Sequence, residues 1–249
     1  MIKRPLLVVA GLLLLTPIIS NAQDAKPWDP AAGTATVSGS IKFEGKPPRS
    51  RKIDMAGADA KCAELHGGER QKPETVIVNE NGTLRNVFVH VKTGVEGWTF
   101  PMPDGDAKIN QQGCMYIPHV QGMRTGQSLA VKTSDPTAHN VHGFGKVNRP
   151  FNRSQPPGAA DISIKMRRDE IPPMKVKCDI HPWMNAFVAV LPHPYFAVTG
   201  DDGSFQLPNL PPGTYTIEAW HEKYGVIEQT VTVGDSETKT LEFSYPTPG

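Results

Sequence analysis

The sequence predicts an all-β protein built from two β-sandwiches, and two observations carry that prediction. Glycine (23) and proline (24) together make up 47 of the 249 residues, so turns interrupt the chain too often for long helices. Between the breaks lie many short runs that alternate apolar with small or polar residues, the period of a half-buried strand. The net charge of +1, with no basic stripe or aromatic platform read from the sequence to revise it, predicts no nucleic-acid role.

The elements follow in order. Met1 to Arg4 is basic, Pro5 to Ile19 is almost wholly apolar, and Ser20-Asn21-Ala22 supplies small residues, the pattern of a secretory signal peptide over residues 1–22. Export to the periplasm or the exterior is therefore expected, and after cleavage no segment is apolar and long enough to span a membrane. Residues 23–33 are polar and proline-containing and read as a mobile leader. The remaining 34–108 open with a strand at Thr34 to Phe43, which ends in the Glu44-Gly45-Lys46-Pro47-Pro48 turn. Asp59 to His66 can hold a short helical turn, and Asn86 to Val91 is a strand introduced by the Asn79-Glu80-Asn81-Gly82 turn.

From residue 109 to 192 the pattern changes. Gly113 to Val120 and Gly126 to Thr133 are strand candidates, Asp161 to Met166 is another, and Met174 to Lys177 and Ala186 to Val190 form a pair around a tight loop. Leu191-Pro192-His193-Pro194 then breaks the chain. Residues 193–249 carry hairpin signals: an Asp-Gly turn at Gly200 to Gly203, a second turn at Leu210-Pro211-Pro212-Gly213, and strands at Thr214 to Trp220, Gly225 to Val233 and Thr238 to Phe243.

The chemistry concentrates in Cys178-Asp179-Ile180-His181-Pro182-Trp183-Met184. A thiolate, an imidazole and a thioether recur there every third residue, and this soft set suits copper better than zinc, calcium or magnesium. A His₂Cys site with a weak axial Met needs a second, distant histidine, and His139 is the upstream candidate. The 39 residues from His139 to Cys178 leave room for the loop and two strands that bring both to one end of a sandwich. Taken singly, each residue has a plainer reading: a buried Cys as a small hydrophobe, a Met as core filler, a His as a satisfied polar group.

Ser134 to His142 together with Cys-x-x-His-Pro-aromatic-Met resembles the cupredoxins, and among them most the amicyanins, whose loop has two residues between His and Met. That resemblance implies a cupredoxin-like Greek-key sandwich over 109–192. It further implies one type 1 copper ion held by His139, Cys178, His181 and Met184, and one-electron transfer without substrate chemistry, so no enzyme. Asn140 would tie the two ligand-bearing loops together, and His181 would be the ligand at the solvent edge through which electrons pass. The implied partners are periplasmic redox proteins such as a c-type cytochrome or a dehydrogenase. Val176-Lys177 departs from the aromatic strand usual before the Cys. Thr199 to Phe205 and Leu210 to Tyr215 are similar to the carboxypeptidase regulatory-like or transthyretin-like module. Such modules open with a strand like Val37 to Phe43, so residues 34–108 either supply early strands of a split module or precede it serially.

Three cysteines in an exported chain leave one unpaired. If Cys178 is a metal ligand, Cys62 and Cys114 are free to form a disulfide; the other reading is two separate thiols. His142, three residues from His139, would point to the opposite face of a regular strand, and His119 reads as an exposed loop histidine unless the fold brings it to the metal end. Two rival functions use the same residues differently: a copper carrier or resistance protein that releases the metal, and a carbohydrate- or protein-binding module in which copper is structural.

Overall fold

The computed structural model describes residues 26–246, so the segment read as a signal peptide lies outside the described residues. In chain order the first strands are β1 (Lys26–Pro27), β2 (Ala35–Glu44), β3 (Phe88–Thr93) and β4 (Trp98–Thr99). A second group comprises β5 (Ala107–Gln112), β6 (Met115–Ile117), β7 (Val120–Arg124), β8 (Ser128–Thr133) and β9 (His139–Gly143). It continues with β10 (Phe151–Gln155), β11 (Ile162–Lys165), β12 (Glu170–Lys177) and β13 (Asn185–Leu191). The last strands are β14 (Phe196–Val198), β15 (Ser204–Leu210), β16 (Gly213–His221), β17 (Gly225–Val233) and β18 (Thr238–Pro246). One short helix, α1 (Ala60–Glu64), interrupts the long connection between β2 and β3.

The protein is all-β, and its strands form two sandwiches. In the first sandwich a five-stranded sheet, β10-β9-β12-β13-β7, faces a four-stranded sheet, β11-β8-β5-β6. Its chain crosses between the layers after β6, β7, β8, β10 and β11, so that β9 and β12 lie side by side although β10 and β11 separate them in sequence. The core is Ile109, Met123, Leu129, Val131, Val141, Val176 and Val188, the inward positions of alternating strands. The outer residues of β13 are apolar as well, because Phe187, Ala189 and Leu191 face Phe88 and Trp220 of the second sandwich. That accounts for the unbroken apolar run at 186–191, which alternation does not describe.

The second sandwich pairs the sheet β14-β3-β16-β17 with β15-β2-β18. Its strands β2 and β3 come from before the first sandwich and β14 to β18 from after it. Val37, Ile41, Val89, Val91, Leu207, Ile217 and Phe243 fill its centre. Gly39 sits where β2 passes β18, and a Cβ there would stand 2.0 Å from the Leu241 carbonyl oxygen, so only glycine permits the approach.

Two segments differ from what their composition suggests. The stretch read as a leader is structured from Lys26 onward: β1 pairs in parallel with β4, and Trp28 packs against Trp98, Phe100 and Tyr195. The large apolar ring outweighs the polar residues around it. The irregular chain between β2 and β3 is divided between the two bodies. Ile53, Met55 and Cys62 enter the core of the first sandwich, whereas Leu84 and Val87 belong to the second.

Candidate metal centre

The site forms at the end of the first sandwich where β8 leads into β9 and β12 turns into β13. The Ser134 to Ala138 turn delivers His139 at the first position of β9, and the chain leaving β12 delivers Cys178 beside it. The ligand loop is closed by its own backbone: Met184 N donates to the His181 carbonyl at 2.9 Å, and Cys178 N donates to the Met184 carbonyl at 3.1 Å. Seven residues thereby become a compact turn. Its residues 178, 181 and 184 are buried, while Ile180 and Pro182 remain exposed.

His139, Cys178 and His181 come together with one donor atom each inside a cluster 4.8 Å across. The Nδ1 atoms of His139 and His181 are 3.0 Å apart, and Cys178 Sγ lies 3.8 Å from His181 Nδ1. Two imidazole nitrogens about 2.0 Å from one first-row ion would stand roughly 3.0–3.5 Å apart, and a sulfur about 2.3 Å from it roughly 3.5–4 Å from each nitrogen. The donor set therefore fits a single small, soft ion. Met184 is fully buried in the same core cluster as Cys178.

The outer nitrogens of both rings are held. His139 Nε2 meets Asp135 Oδ2 at 2.9 Å, and Asp135 is itself fixed by the backbone N–H groups of Gly113 and Cys114. This arrangement sets the His139 ring so that Nδ1 points at the cluster. On the other side His181 Nε2 lies 3.3 Å from Asp59 Oδ2, the carboxylate that also accepts from Thr137 Oγ1 at 2.7 Å and caps α1. Asn140 joins the two ligand loops: its Oδ1 accepts from Asp179 N at 2.7 Å, and its Nδ2 donates to Asp179 Oδ2 and Asn152 Oδ1.

The electrostatics favour a thiolate. Burial pushes the Cys178 thiol up, yet hydrogen bonds from His139 and His181 outweigh it and hold the group at about 6. Burial likewise opposes charge on His139, and its bonds to Asp135 and Cys178 prevail, raising it to about 9. Without an ion the cluster is a thiolate facing an imidazolium; a soft cation would take the place of that proton. The order Cys178, His139, Asp135 also matches nucleophile, base and orienting acid, but Cys178 has no exposed surface on which a substrate could approach it.

Several residues stand elsewhere than their sequence context suggests. His181, implied by resemblance to sit at the solvent edge, is 1% exposed and lies beneath the Asp59 segment. His119, read as an exposed loop residue, is buried between the sandwiches with Nε2 2.5 Å from Glu222 Oε1, and takes no place in the cluster. His142 points out of the cluster to Asp179 Oδ2 and stacks on Phe144. Cys62 and Cys114 form a disulfide, which pins α1 beside the site, and Trp183 Nε1 donates to the Cys114 carbonyl at 2.9 Å. Asp59 and Asp135 are the side chains that residue types alone did not single out. Asp135 had a signal in its place four residues before His139, whereas Asp59 had none.

An all-β protein of two sandwiches with a buried His-Cys-His cluster at one end is the class that fold and site define. Residues 181–245, about a quarter of the chain, match the family model of the carboxypeptidase regulatory-like domain, a span that begins inside the ligand loop. Rhamnogalacturonate lyase A of Emericella nidulans is 44% identical over 55 residues, 21% of this chain, and the chain spans only 10% of that protein's length. Among solved structures, a Cu-containing nitrite reductase from Thermus scotoductus aligns over 41% of this chain and 25% of its own, with 16% identity and a TM-score of 0.32. A purple cupredoxin from Nitrosopumilus maritimus aligns over 34% of this chain and 99% of its own, with 20% identity and a TM-score of 0.29. An amicyanin variant in its Cu(I) form aligns over 36% and 85%, with 16% identity and a TM-score of 0.31. No helix among the described residues is long and apolar enough to cross a membrane.

Proposed function

We propose that the protein is exported, binds one copper ion through His139 Nδ1, His181 Nδ1 and Cys178 Sγ with Met184 as the weak fourth ligand, and passes single electrons between redox proteins. The observation that carries this reading is the donor cluster itself: two Nδ1 atoms 3.0 Å apart with a thiol sulfur 3.8 Å from one of them, all fully or nearly fully buried. Copper, when bound, supplies a one-electron couple. The chain's own contribution is rigidity. Asp135 and Asp59 fix the two rings, Asn140 locks the loops, and the closed backbone turn holds Cys178 and Met184 at one separation, so little needs to move when the charge changes. Surrounding Val141, Val176 and Ala186 exclude water. No substrate bond is broken in this scheme, and the partners are periplasmic redox proteins such as a c-type cytochrome or a dehydrogenase, met in small transient interfaces.

The test is visible spectroscopy of the copper-loaded chain. An intense thiolate-to-copper charge-transfer band that bleaches and returns on reduction and reoxidation, and that Cys178→Ser abolishes, is the expected result. Weak, exchangeable Cu(I) binding without that band would identify a carrier instead. The match of residues 181–245 to a regulatory-like module favours one further reading, a carbohydrate- or protein-binding role for the second sandwich. Ligand binding that persists unchanged in Cys178→Ser, with no redox activity in the unaltered protein, would select it.

A further inference from the structure

The flank of the first sandwich carries a charge asymmetry that the metal reading does not use. β10 and β11 are the free edges of their two sheets, and between them runs a groove of about 720 Å³ lined by Arg149, Arg153, Lys165, Arg167 and Arg168. All five are exposed, and none enters an ion pair among the described residues. From Phe144 to Arg168 the chain has six basic residues and one acid, Asp161, in a protein whose net charge is only +1. Such a concentration costs self-repulsion and is relieved by an anionic partner.

The groove is a built frame. Buried Glu170 accepts from the backbone N–H groups of Lys146, Val147 and Asn148, at 2.7, 3.1 and 2.6 Å. Buried Asn148 in turn accepts from the N–H groups of Arg167 and Arg168 and donates to the Arg168 carbonyl. The two loops that present Arg149, Arg167 and Arg168 are thus tied together before anything binds, which lowers the ordering cost of docking. Charge is also not all the groove offers, since Val147 within it is 49% exposed and Phe144 nearby 40%. At one end the groove reaches the metal centre: Asn152 lines it and donates to Asp179 Oδ2 at 3.0 Å, one residue from Cys178.

We propose that this groove docks the acidic face of a protein partner of the metal centre. The proposal rests on the copper reading for what the partner does, but not for whether it binds. The mixture of arginines with exposed apolar side chains suits a protein face better than a sulfated polysaccharide or a lipid surface. With His181 covered by Asp59, this flank is also an approach to the ligand loop that leaves the cover in place.

The experiment titrates a labelled polyglutamate peptide into the full exported chain, with and without copper, and repeats this for Arg149→Glu/Arg153→Glu/Arg167→Glu and for the remote Lys46→Glu. The expected result is salt-sensitive binding that the triple variant weakens by about tenfold or more and Lys46→Glu leaves alone. No binding at low salt, or equal binding by the triple variant, overturns the proposal. So does binding of heparin or anionic phosphatidylglycerol vesicles through the same arginines when the peptide does not bind. Because the copper-free arm reads docking alone, peptide binding by a chain that shows no charge-transfer band when loaded with copper would sink the copper reading and keep the docking surface. The band without peptide binding would do the reverse.

Discussion

His181 Nε2 stands 3.3 Å from Asp59 Oδ2, so the edge of the ring that faces away from the donor cluster is closed by a residue 122 positions earlier in the chain. Asp59 is held there by Thr137, whose hydroxyl is the first of the contacts that keep its carboxyl below the usual range. Removing this cover should change access without removing a ligand. In copper-loaded Asp59→Ala, exchange with a small diffusible reductant is expected to quicken several-fold while the charge-transfer band persists. Stopped-flow reduction measures it, and an unchanged rate would show that the Asp59 segment is no barrier.

The Cys62–Cys114 disulfide spans 52 residues and anchors α1, and with it Asp59, beside the site. In the loop-entropy model a closure of that length contributes about 4 kcal/mol. Cys62→Ser/Cys114→Ser should therefore melt well below the parent protein and also reproduce the faster exchange of Asp59→Ala. Calorimetry and the same stopped-flow assay test the two effects separately. A lower melting temperature with unaltered exchange would mean that the segment keeps its place without the bridge.

Asn140 is the point at which the two ligand loops meet, accepting from Asp179 N at 2.7 Å and donating to Asp179 Oδ2 at 2.9 Å. Loss of such a part-buried set costs about 1–3 kcal/mol. For Asn140→Ala the expected outcome is a lower melting temperature together with faster loss of copper to a competing chelator. A variant that melts earlier but retains copper as firmly as before would limit Asn140 to a structural role.

What was legible in the sequence follows from how far apart the interacting residues lie. Cys178, His181 and Met184 fall within seven residues, so one turn collects them, and their types suit a soft ion. His139 was within reach because the residues between it and Cys178 read as strands. The cover on His181 was not legible, since Asp59 lies in a stretch without periodicity and its role depends on a fold-wide contact. Nor was the burial of His119, whose partner Glu222 sits 103 residues away on the other sandwich. Polar composition around Trp28 concealed one aromatic anchor, and only the packed structure shows what that ring finds.

Stability should fall with acid through a window set by two buried histidines remote from the ligands. Burial, aided for His193 by the charges of His90 and Arg124, lowers its pKa from 6.5 to about 4, and burial lowers His221 likewise to about 4. Between those limits the unfolded chain takes up protons that the folded one refuses, so stability is lost as the pH drops from 6.5 to 4 and is insensitive to these groups above 6.5. Each shift corresponds to roughly 3 kcal/mol. His139 has the opposite sign: raised to about 9, it stabilises fully below 6.5 and loses that contribution only as the pH rises through 9, so it stays constant across the acid window. Glu218, lowered from 4.5 to about 2 chiefly by its bond to His90, enters only at the bottom of the range. His193→Gln offers an acceptor in place of the Nδ1 atom that Tyr195 N meets at 3.3 Å, while losing the ring stacked on Tyr195. It should melt lower at pH 8 yet show a shallower decline between pH 6.5 and 4.5 than the parent. Melting temperatures taken across that range decide the matter, and a parallel decline in both proteins would show that His193 does not set the slope.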